Sequence, residues 1–455
     1  MLRISEHFEY YNKDHISIFQ KIENWEHYFD LSTLEDKINF ENDKEKNCVS
    51  ISLNRNSEEN QYSCSISSSY YYIGLDCFPN LGANIYIEPK INNEEKQVNY
   101  VQMLLESLKE PENFEHLDGL ISTKFDEDWI EIDNQLQPLL TPFLIAQFLS
   151  VVKDLVKKGL KKSYYEKVEN LNNKVKGKVL VGQQIKQNIL KNRYTKTICK
   201  FQEFGFDIEL NQFLKFVLSC VSIHLEDYSN NSDIYKNLVE IQRYCNGGFH
   251  QVSDNTFSKL DFKESNPFFK NYNRAIQLGN QILALNDYNI SKNSNKAKTL
   301  HPPFWIDMSK LFELFVFGKL RDRYSLEGEV QYHKKFNKQE PDFIINTNSG
   351  IKAVVDAKYK PRYSNGNPTM EDARQLAGYT RLNSVYRELG IENDDVISTY
   401  FIYPGNLNFT EKDQHTQEDF KVKEETEEIP LFESSFRVSS SYKKMYLQEI
   451  NLLVN

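Results

Sequence analysis

The chain has 455 residues, 40% hydrophobic and 26% charged, with a formal net charge of −10. That length suffices for about two or three domains with a substantial core, and the composition is that of a globular protein rather than a disordered or fibrous one. The acidic balance excludes nucleic-acid binding through overall charge, so any such role must rest on a local patch.

At the start, Met1 to His7 lacks the apolar core of a signal peptide. Residues 1–125 alternate short apolar and polar positions, as in Val49-Ser-Ile-Ser-Leu53 and Asn84-Ile-Tyr-Ile-Glu-Pro-Lys-Ile91, and predict a β-rich N-terminal domain. Residues 126–300 change to apolar positions three and four apart and predict a mainly helical middle region, as in Phe143-Leu-Ile-Ala-Gln-Phe-Leu149 and Phe213-Leu-Lys-Phe-Val-Leu218. Its apolar run from Leu139 to Val152 is broken by Pro142 and Gln147 and is too short for a bilayer span, so it reads as a buried helix. No membrane role is visible.

The same region holds the main charge anomaly. Between Lys153 and Lys200 there are 14 Lys or Arg against 3 Asp or Glu, with Tyr164, Tyr165 and Tyr194 interleaved. A net of +11 attracts phosphate, which makes Lys157, Lys158, Lys161, Lys162, Lys176 and Lys178 candidates for DNA contact. A solvated charged helix face would have the same composition. Farther on, Glu203, Asp207 and Asn211 stand four apart, where they would share one face of a helix and bridge neighbours.

Residues 301–455 predict a mixed α/β domain. His301-Pro302-Pro303 marks its boundary, because paired prolines interrupt helices. Asp307 can cap a helix with an apolar body, in which Glu313 is the lone acid and needs a cationic or metal partner. A strand within Leu326 to Phe336 comes next, then a hairpin from Asp342 to Lys358 closed by Asn348-Ser349-Gly350. With Thr347 opposite Ile351, Asp342 falls opposite Asp356, and Lys358 shares the Asp356 face. Two carboxylates can hold Mg²⁺, which polarises a phosphoryl oxygen, while the lysine steers water or stabilises developing charge. A surface hairpin with solvated ion pairs is the bland alternative, although Ala353-Val354-Val355 suits a buried central strand. A helix from Met370 to Leu389 and a strand from Val396 to Pro404 complete the core, Glu411 to Glu428 is an acidic loop, and strands return within Ser434 to Val454.

Pro341-Asp342 with Asp356-Ala357-Lys358 resembles the PD-(D/E)xK nuclease signature, and the longer Asp356-Ala-Lys-Tyr-Lys360 resembles the nuclease domain of the McrC family. Tyr70 to Leu75, Ile85 to Ile91, Val175 to Leu180, Cys199 to Asn211 and Met308 to Glu313 are similar to further McrC segments. The resemblance implies a restriction-endonuclease-like C-terminal fold within an α+β multidomain chain. It implies a Mg²⁺-dependent DNA endonuclease, with Mn²⁺ as a substitute. Asp342, Asp356 and the Ala357 carbonyl would hold the metal, Lys358 would act on water, and Glu313 would assist. Gln375 and Tyr379, with Arg374 beside them, resemble the pair that contacts DNA phosphate and orients the lysine in related nucleases. At the N-terminus the family pattern implies docking to a hexameric McrB-like AAA+ GTPase through Tyr71, Tyr72 and Lys90, in a defence system acting on methylated or otherwise modified double-stranded DNA.

Other features narrow the class. The cysteines at 48, 64, 77, 199, 220 and 245 form no C-x-x-C pair and no zinc spacing, which fits a reduced, cytoplasmic setting. No phosphate-binding loop of the G-x-x-x-x-G-K-[ST] type is present, so this chain is expected to bind no nucleotide itself. Two other readings stay open: a non-catalytic adaptor that only stimulates the GTPase ring, and a stand-alone nuclease.

Overall fold

In the computed structural model of the chain, segments with alternating apolar residues are strands and those with helical apolar spacing are helices. The structure describes the whole chain except residues 8, 13–36, 42–47, 57–60, 70, 79–82, 93–95, 125–128, 134–140, 230–233, 263–265, 267–268, 292–297, 337, 362–367, 393–394, 406–429, 440 and 453–455. The expected acidic loop from Glu411 to Glu428 lies outside the described residues. The chain divides into two units, Met1–Leu139 with Lys296–Asn455, and Leu140–Asn295 between them in sequence. The first and third of the segments expected from sequence thus fall in one unit. Among the described residues, no helix is long and apolar enough to cross a membrane.

The first unit contains three larger sheets. One has five strands in the order Leu2–Ser5, Ala83–Glu88, Tyr72–Phe78, Phe304–Asp307, Ile121–Thr123. A second, antiparallel, has the order Glu9–Asn12, Gln61–Ser68, Val49–Asn56, Lys37–Glu41. Alternate residues of both, among them Val49, Ile51, Leu53, Ile66, Ile85 and Ile87, bury a common core with Phe78 and Trp305. Asp76 braces that core by accepting the Trp305 indole N–H at 3.1 Å and the Lys124 ammonium at 3.3 Å, which satisfies a carboxylate that would otherwise be costly to bury. The Pro302-Pro303 pair makes a corner a few residues after the second unit ends at Asn295. It separates the strand Lys298–His301, paired with Ile130–Asp133, from Phe304–Asp307, which enters the N-terminal sheet.

The third sheet has six strands in the order Val330–Tyr332, Phe343–Asn346, Lys352–Ala357, Ser398–Pro404, Met445–Ile450, Phe436–Val438. Before it runs the helix Met308–Arg323, capped by Asp307, whose side chain accepts the Lys310 N–H. Most of its body is buried, as its sequence predicts. The expected single helix after the hairpin is two, Met370–Tyr379 and Asn383–Leu389, with an extended Leu382 between them. Both cover one face of the sheet, where Ala373, Leu376, Val385 and Leu389 pack on Ile344, Val354 and Phe401.

The second unit has helices Thr141–Lys158, Glu209–Ser229, Ile234–Gly248 and Lys270–Ser291. Within this mainly helical region the basic stretch is the exception, where Ser163–Asn172, Lys196–Gly205 and Lys178–Val179 form a three-stranded antiparallel sheet. Cross-strand pairing explains this. Tyr164 stacks beside Phe204, while Lys200 pairs with Glu166 and Lys167 with Glu203. Gly177, at φ +71°, lets this chain cross closely, since a Cβ there would meet the Lys200 carbonyl oxygen at 2.4 Å. Glu203, Asp207 and Asn211 therefore share no helix face: the first is on a strand, the second in a turn, the third on a helix. Their bridging role survives. Asp207 accepts from Ser253 and Gln212, and buried Asn211 accepts the Tyr272 hydroxyl while donating to the Lys161 and Phe206 carbonyls.

Candidate active site

The hairpin Phe343–Asn346 and Lys352–Ala357 pairs Phe343 with Val355, Ile344 with Val354, Ile345 with Ala353 and Asn346 with Lys352. Thr347 donates its N–H to the Ile351 carbonyl, and Gly350, at φ +96°, completes the three-residue loop. One step beyond the paired residues, this register sets Asp342 opposite Asp356. The Asp342 Oδ2 accepts the Ala357 N–H at 2.8 Å, which ties the two strand ends together.

Lys352–Ala357 is a central strand, antiparallel to one neighbour and parallel to Ser398–Pro404 on the other side. Ala353, Val354 and Val355 are fully buried, and Asp356 at the strand's end is only 1% exposed. Among the described residues, no backbone N–H or neutral side chain donates to the Asp356 carboxylate. Its compensation is the Lys358 ammonium, whose Nζ stands 2.9 Å from Oδ2. Burial pushes the carboxyls of both Asp342 and Asp356 above the ordinary range. For Asp342 the facing Asp356 and then Glu313 add to the rise, whereas for Asp356 the nearby Lys358 opposes it. Burial works against the Lys358 charge, yet Asp356 and Asp342 outweigh it and hold the ammonium above its usual range.

Lys358 also donates to Gln375 Oε1 at 3.3 Å, and Gln375 donates to the Tyr379 hydroxyl at 3.0 Å. The helical spacing of four residues thus delivers both side chains to the lysine. Arg374 is exposed on the same helix. Glu313 has two polar neighbours, one of them a histidine that is cationic when protonated. Its Oε2 accepts the Tyr332 hydroxyl at 3.3 Å and lies 3.4 Å from His333 Nε2. Tyr332 is aimed by packing against Phe317 and Phe343, which also stack on each other. His333 is held at φ +50°, with its N–H on the Asp342 carbonyl and its Nδ1 3.3 Å from Glu340.

The donor set fits a hard divalent cation of limited protein ligation. Among the described residues, no group of three or more His, Cys, Asp or Glu is placed to hold a metal. Two opposed carboxylates remain, one of them buried with the Lys358 ammonium as its donor. Mg²⁺ commonly takes one or two carboxylates and keeps its waters for substrate phosphate.

Several participants carry no sequence signal. Tyr332 and His333 flank Glu313, Glu340 holds His333 from its other nitrogen, and Glu6 reaches the site from the other end of the chain. Asp372 is detectable, since Thr369-x-x-Asp372 is a capping pattern. Thr369 accepts the Asp372 N–H, and Asp372 holds Lys360 at 2.7 Å.

The other predicted residues lie elsewhere. Tyr71 is exposed and Tyr72 half-buried, with both N–H groups on Ser69 Oγ. Lys90 is engaged internally, its ammonium 4.2 Å from the Tyr359 ring centre and 5.0 Å from that of Tyr71. The basic candidates belong to the second unit. Lys157, Lys158, Lys162, Lys176 and Lys178 are exposed there, and Lys161, Lys162 and Lys176 lie over the rings of Phe269, Phe206 and Phe201.

Residues 70–389 match the family model of the McrBC 5-methylcytosine restriction system component. The chain belongs to the McrBC family. The matched span contains the acidic pair, Lys358, Glu313, Gln375 and Tyr379. No curated protein matches this McrBC-family chain. Among solved structures it is similar to the half-complex of Thermococcus gammatolerans McrB AAA+ hexamers with bound McrC, at 17% identity and TM-score 0.35, over 86% of this chain and 79% of that one. It is also similar to a second Thermococcus gammatolerans McrBC complex, at 16% identity and TM-score 0.27, over 73% and 89% of the two chains.

Proposed function

We propose that this McrBC-family chain is the Mg²⁺-dependent DNA endonuclease subunit of its restriction system, with a PD-(D/E)xK site in the six-stranded sheet. The observation that carries the reading is the buried Asp356 carboxylate, served by the Lys358 ammonium alone and set opposite Asp342. A fold seldom retains such a costly arrangement at a strand end without a use for it.

Asp342, Asp356 and the Ala357 carbonyl would hold the ion. When bound there, Mg²⁺ supplies Lewis-acid polarisation of a phosphoryl oxygen and lowers the pKa of a water. Lys358, kept cationic by the two aspartates, offers its ammonium to the attacking water or to charge developing on phosphorus. Glu313 adds negative potential beside the pair, which favours a cation. Gln375 holds the lysine and, with Arg374 and Tyr379, supplies donors for DNA phosphate. Exposed lysines of the second unit, including Lys157, Lys158 and Lys178, contribute sequence-independent attraction. Membership of a two-component restriction family supports activation by a McrB-like AAA+ GTPase on modified DNA.

The test is Mg²⁺-dependent cleavage of methylated plasmid by the full chain with a McrB-type partner and GTP. Asp356→Ala and Lys358→Ala should abolish cleavage while stimulation of the partner's GTPase persists. Cleavage at the wild-type rate by both variants overturns the assignment, and an equally inactive wild type that still stimulates the GTPase supports the adaptor reading.

A further inference from the structure

The strand that carries Asp356 ends at Ala357, and beyond it the sheet holds only the Lys358 N–H, on the Ile402 carbonyl at 2.8 Å. The chain then turns sharply, with the Lys360 N–H on the Lys358 carbonyl at 2.6 Å. Tyr359 is the central residue of that turn. A lysine on so short a turn has its direction set by whatever anchors its neighbours, because no ladder of hydrogen bonds continues past it. Both neighbours are anchored. Lys360 is paired with Asp372 on the helix that carries Gln375. Tyr359, 1% exposed, donates its hydroxyl to Glu6 Oε2 at 3.1 Å.

Glu6 lies 353 residues earlier, just past the edge strand Leu2–Ser5 of the five-stranded sheet. It is itself fixed. Its N–H is on the Glu88 carbonyl, its Oε2 accepts the Lys90 N–H at 3.0 Å, and its Oε1 is buried without a hydrogen bond. The Lys90 ammonium covers the Tyr359 ring at 4.2 Å, and Phe312, beside Glu313, packs against that ring at 6.0 Å between centres. A buried glutamate with one oxygen unserved is expensive to keep, and the Tyr359 hydroxyl is the donor that ties it to the turn after the catalytic strand.

We propose that Glu6 is a positioning residue for Lys358: by anchoring the Tyr359 hydroxyl it sets the turn that points the lysine ammonium at Asp356, so that the nuclease site is complete only when the N-terminal strand is seated. The assignment rests on the nuclease reading above and adds a physical link between the sheet that bears Tyr71 and Lys90 and the catalytic hairpin.

Three variants of the full chain test it: Tyr359→Phe, Glu6→Ala and Glu6→Gln. The assay again uses a McrB-type partner, GTP, Mg²⁺ and methylated plasmid, at a temperature where circular dichroism shows each variant folded. Tyr359→Phe and Glu6→Ala should lower kcat by about 10- to 100-fold, as misplacement of a reacting group does, with KM for DNA unchanged. Glu6→Gln keeps an acceptor for the hydroxyl and should recover most of the Glu6→Ala loss. A readout independent of activity is the acylation rate of Lys358 by acetic anhydride, followed by peptide mass spectrometry against exposed Lys157. It should rise several-fold in Tyr359→Phe, because the ammonium is released from Asp356. Mn²⁺ binding by the chain alone should not change, since Asp342 and Asp356 are untouched. If Tyr359→Phe and Glu6→Ala cleave within twofold of wild type and acylate at the wild-type rate while Lys358→Ala is inactive, the positioning role is refuted and the nuclease site stands. If Lys358→Ala cleaves normally, the nuclease reading itself fails, and the positioning role with it.

Discussion

Asp342 lies across from Asp356 at the open end of the hairpin, and its Oδ2 takes the N–H of Ala357, the residue next to its counterpart. The two acids are thereby locked face to face, where burial and mutual repulsion disfavour full ionisation. Such a pair destabilises the fold in the absence of a cation and becomes useful only when one arrives.

Replacement of Asp342 by Asn should separate function from stability. The amide still accepts the Ala357 N–H but removes the like charge facing Asp356. Cleavage should fall by at least about 100-fold, the scale of losing a principal charge-stabilising group. The folded-state carboxyl is raised, so its stabilising contribution is full below the unfolded pKa and lost as pH rises through the folded one. At pH 7.5 in EDTA the variant should therefore melt about 2–4 °C above wild type. Calorimetry checks this, and a lower melting temperature than wild type would show that the pair is structural.

Metal addition should stabilise the wild type and leave a protein without the acidic pair unaffected. Mg²⁺ or Mn²⁺ at about 100 times its Kd stabilises a folded chain by roughly 2.7 kcal/mol. Titration into the wild type should raise the melting temperature, and chelation should reverse it. The Asp342→Asn, Asp356→Ala double variant should show no such response.

The Glu6 carboxyl, raised chiefly by burial to about 7, gives a pH signature. Lys90 and the Tyr359 hydroxyl oppose that rise and Asp307 adds to it. The sign is that of a raised acid: Glu6 favours folding most below the ordinary glutamate range, and this contribution is lost as pH climbs to about 7. Glu6→Gln does not titrate. The variant should thus gain melting temperature relative to wild type between about pH 5 and pH 8. A difference independent of pH would mean that Glu6 is ionised throughout.

The basic stretch makes a graded prediction. Replacing exposed Lys157, Lys158 and Lys178 together by Ala should weaken DNA binding uniformly across sequences. The slope of log K against log salt should shrink by about 2.7, near 0.9 for each phosphate that the protein no longer neutralises. Replacing Lys161, Lys162 and Lys176, which lie over aromatic rings, should instead cost stability with a smaller change in slope. Fluorescence anisotropy at several salt concentrations distinguishes the two sets.

What can be read from the sequence alone is local and periodic. The hairpin register follows from strand alternation and a three-residue turn, which is why Asp342, Asp356 and Lys358 are identifiable in the chain without its fold. The Asp307 cap and the Gln375–Tyr379 pair follow likewise from helical geometry. Patterning misleads where cross-strand partners outweigh helical spacing, as in Ser163–Asn172 and Lys196–Gly205, whose stabilising pairs lie up to 42 residues apart. Only the tertiary structure could bring Glu6 to Tyr359, route Phe304–Asp307 into the N-terminal sheet, and surround Glu313 with Tyr332 and His333. Each of those relationships depends on how whole sheets and helices pack, and packing leaves no period along the chain.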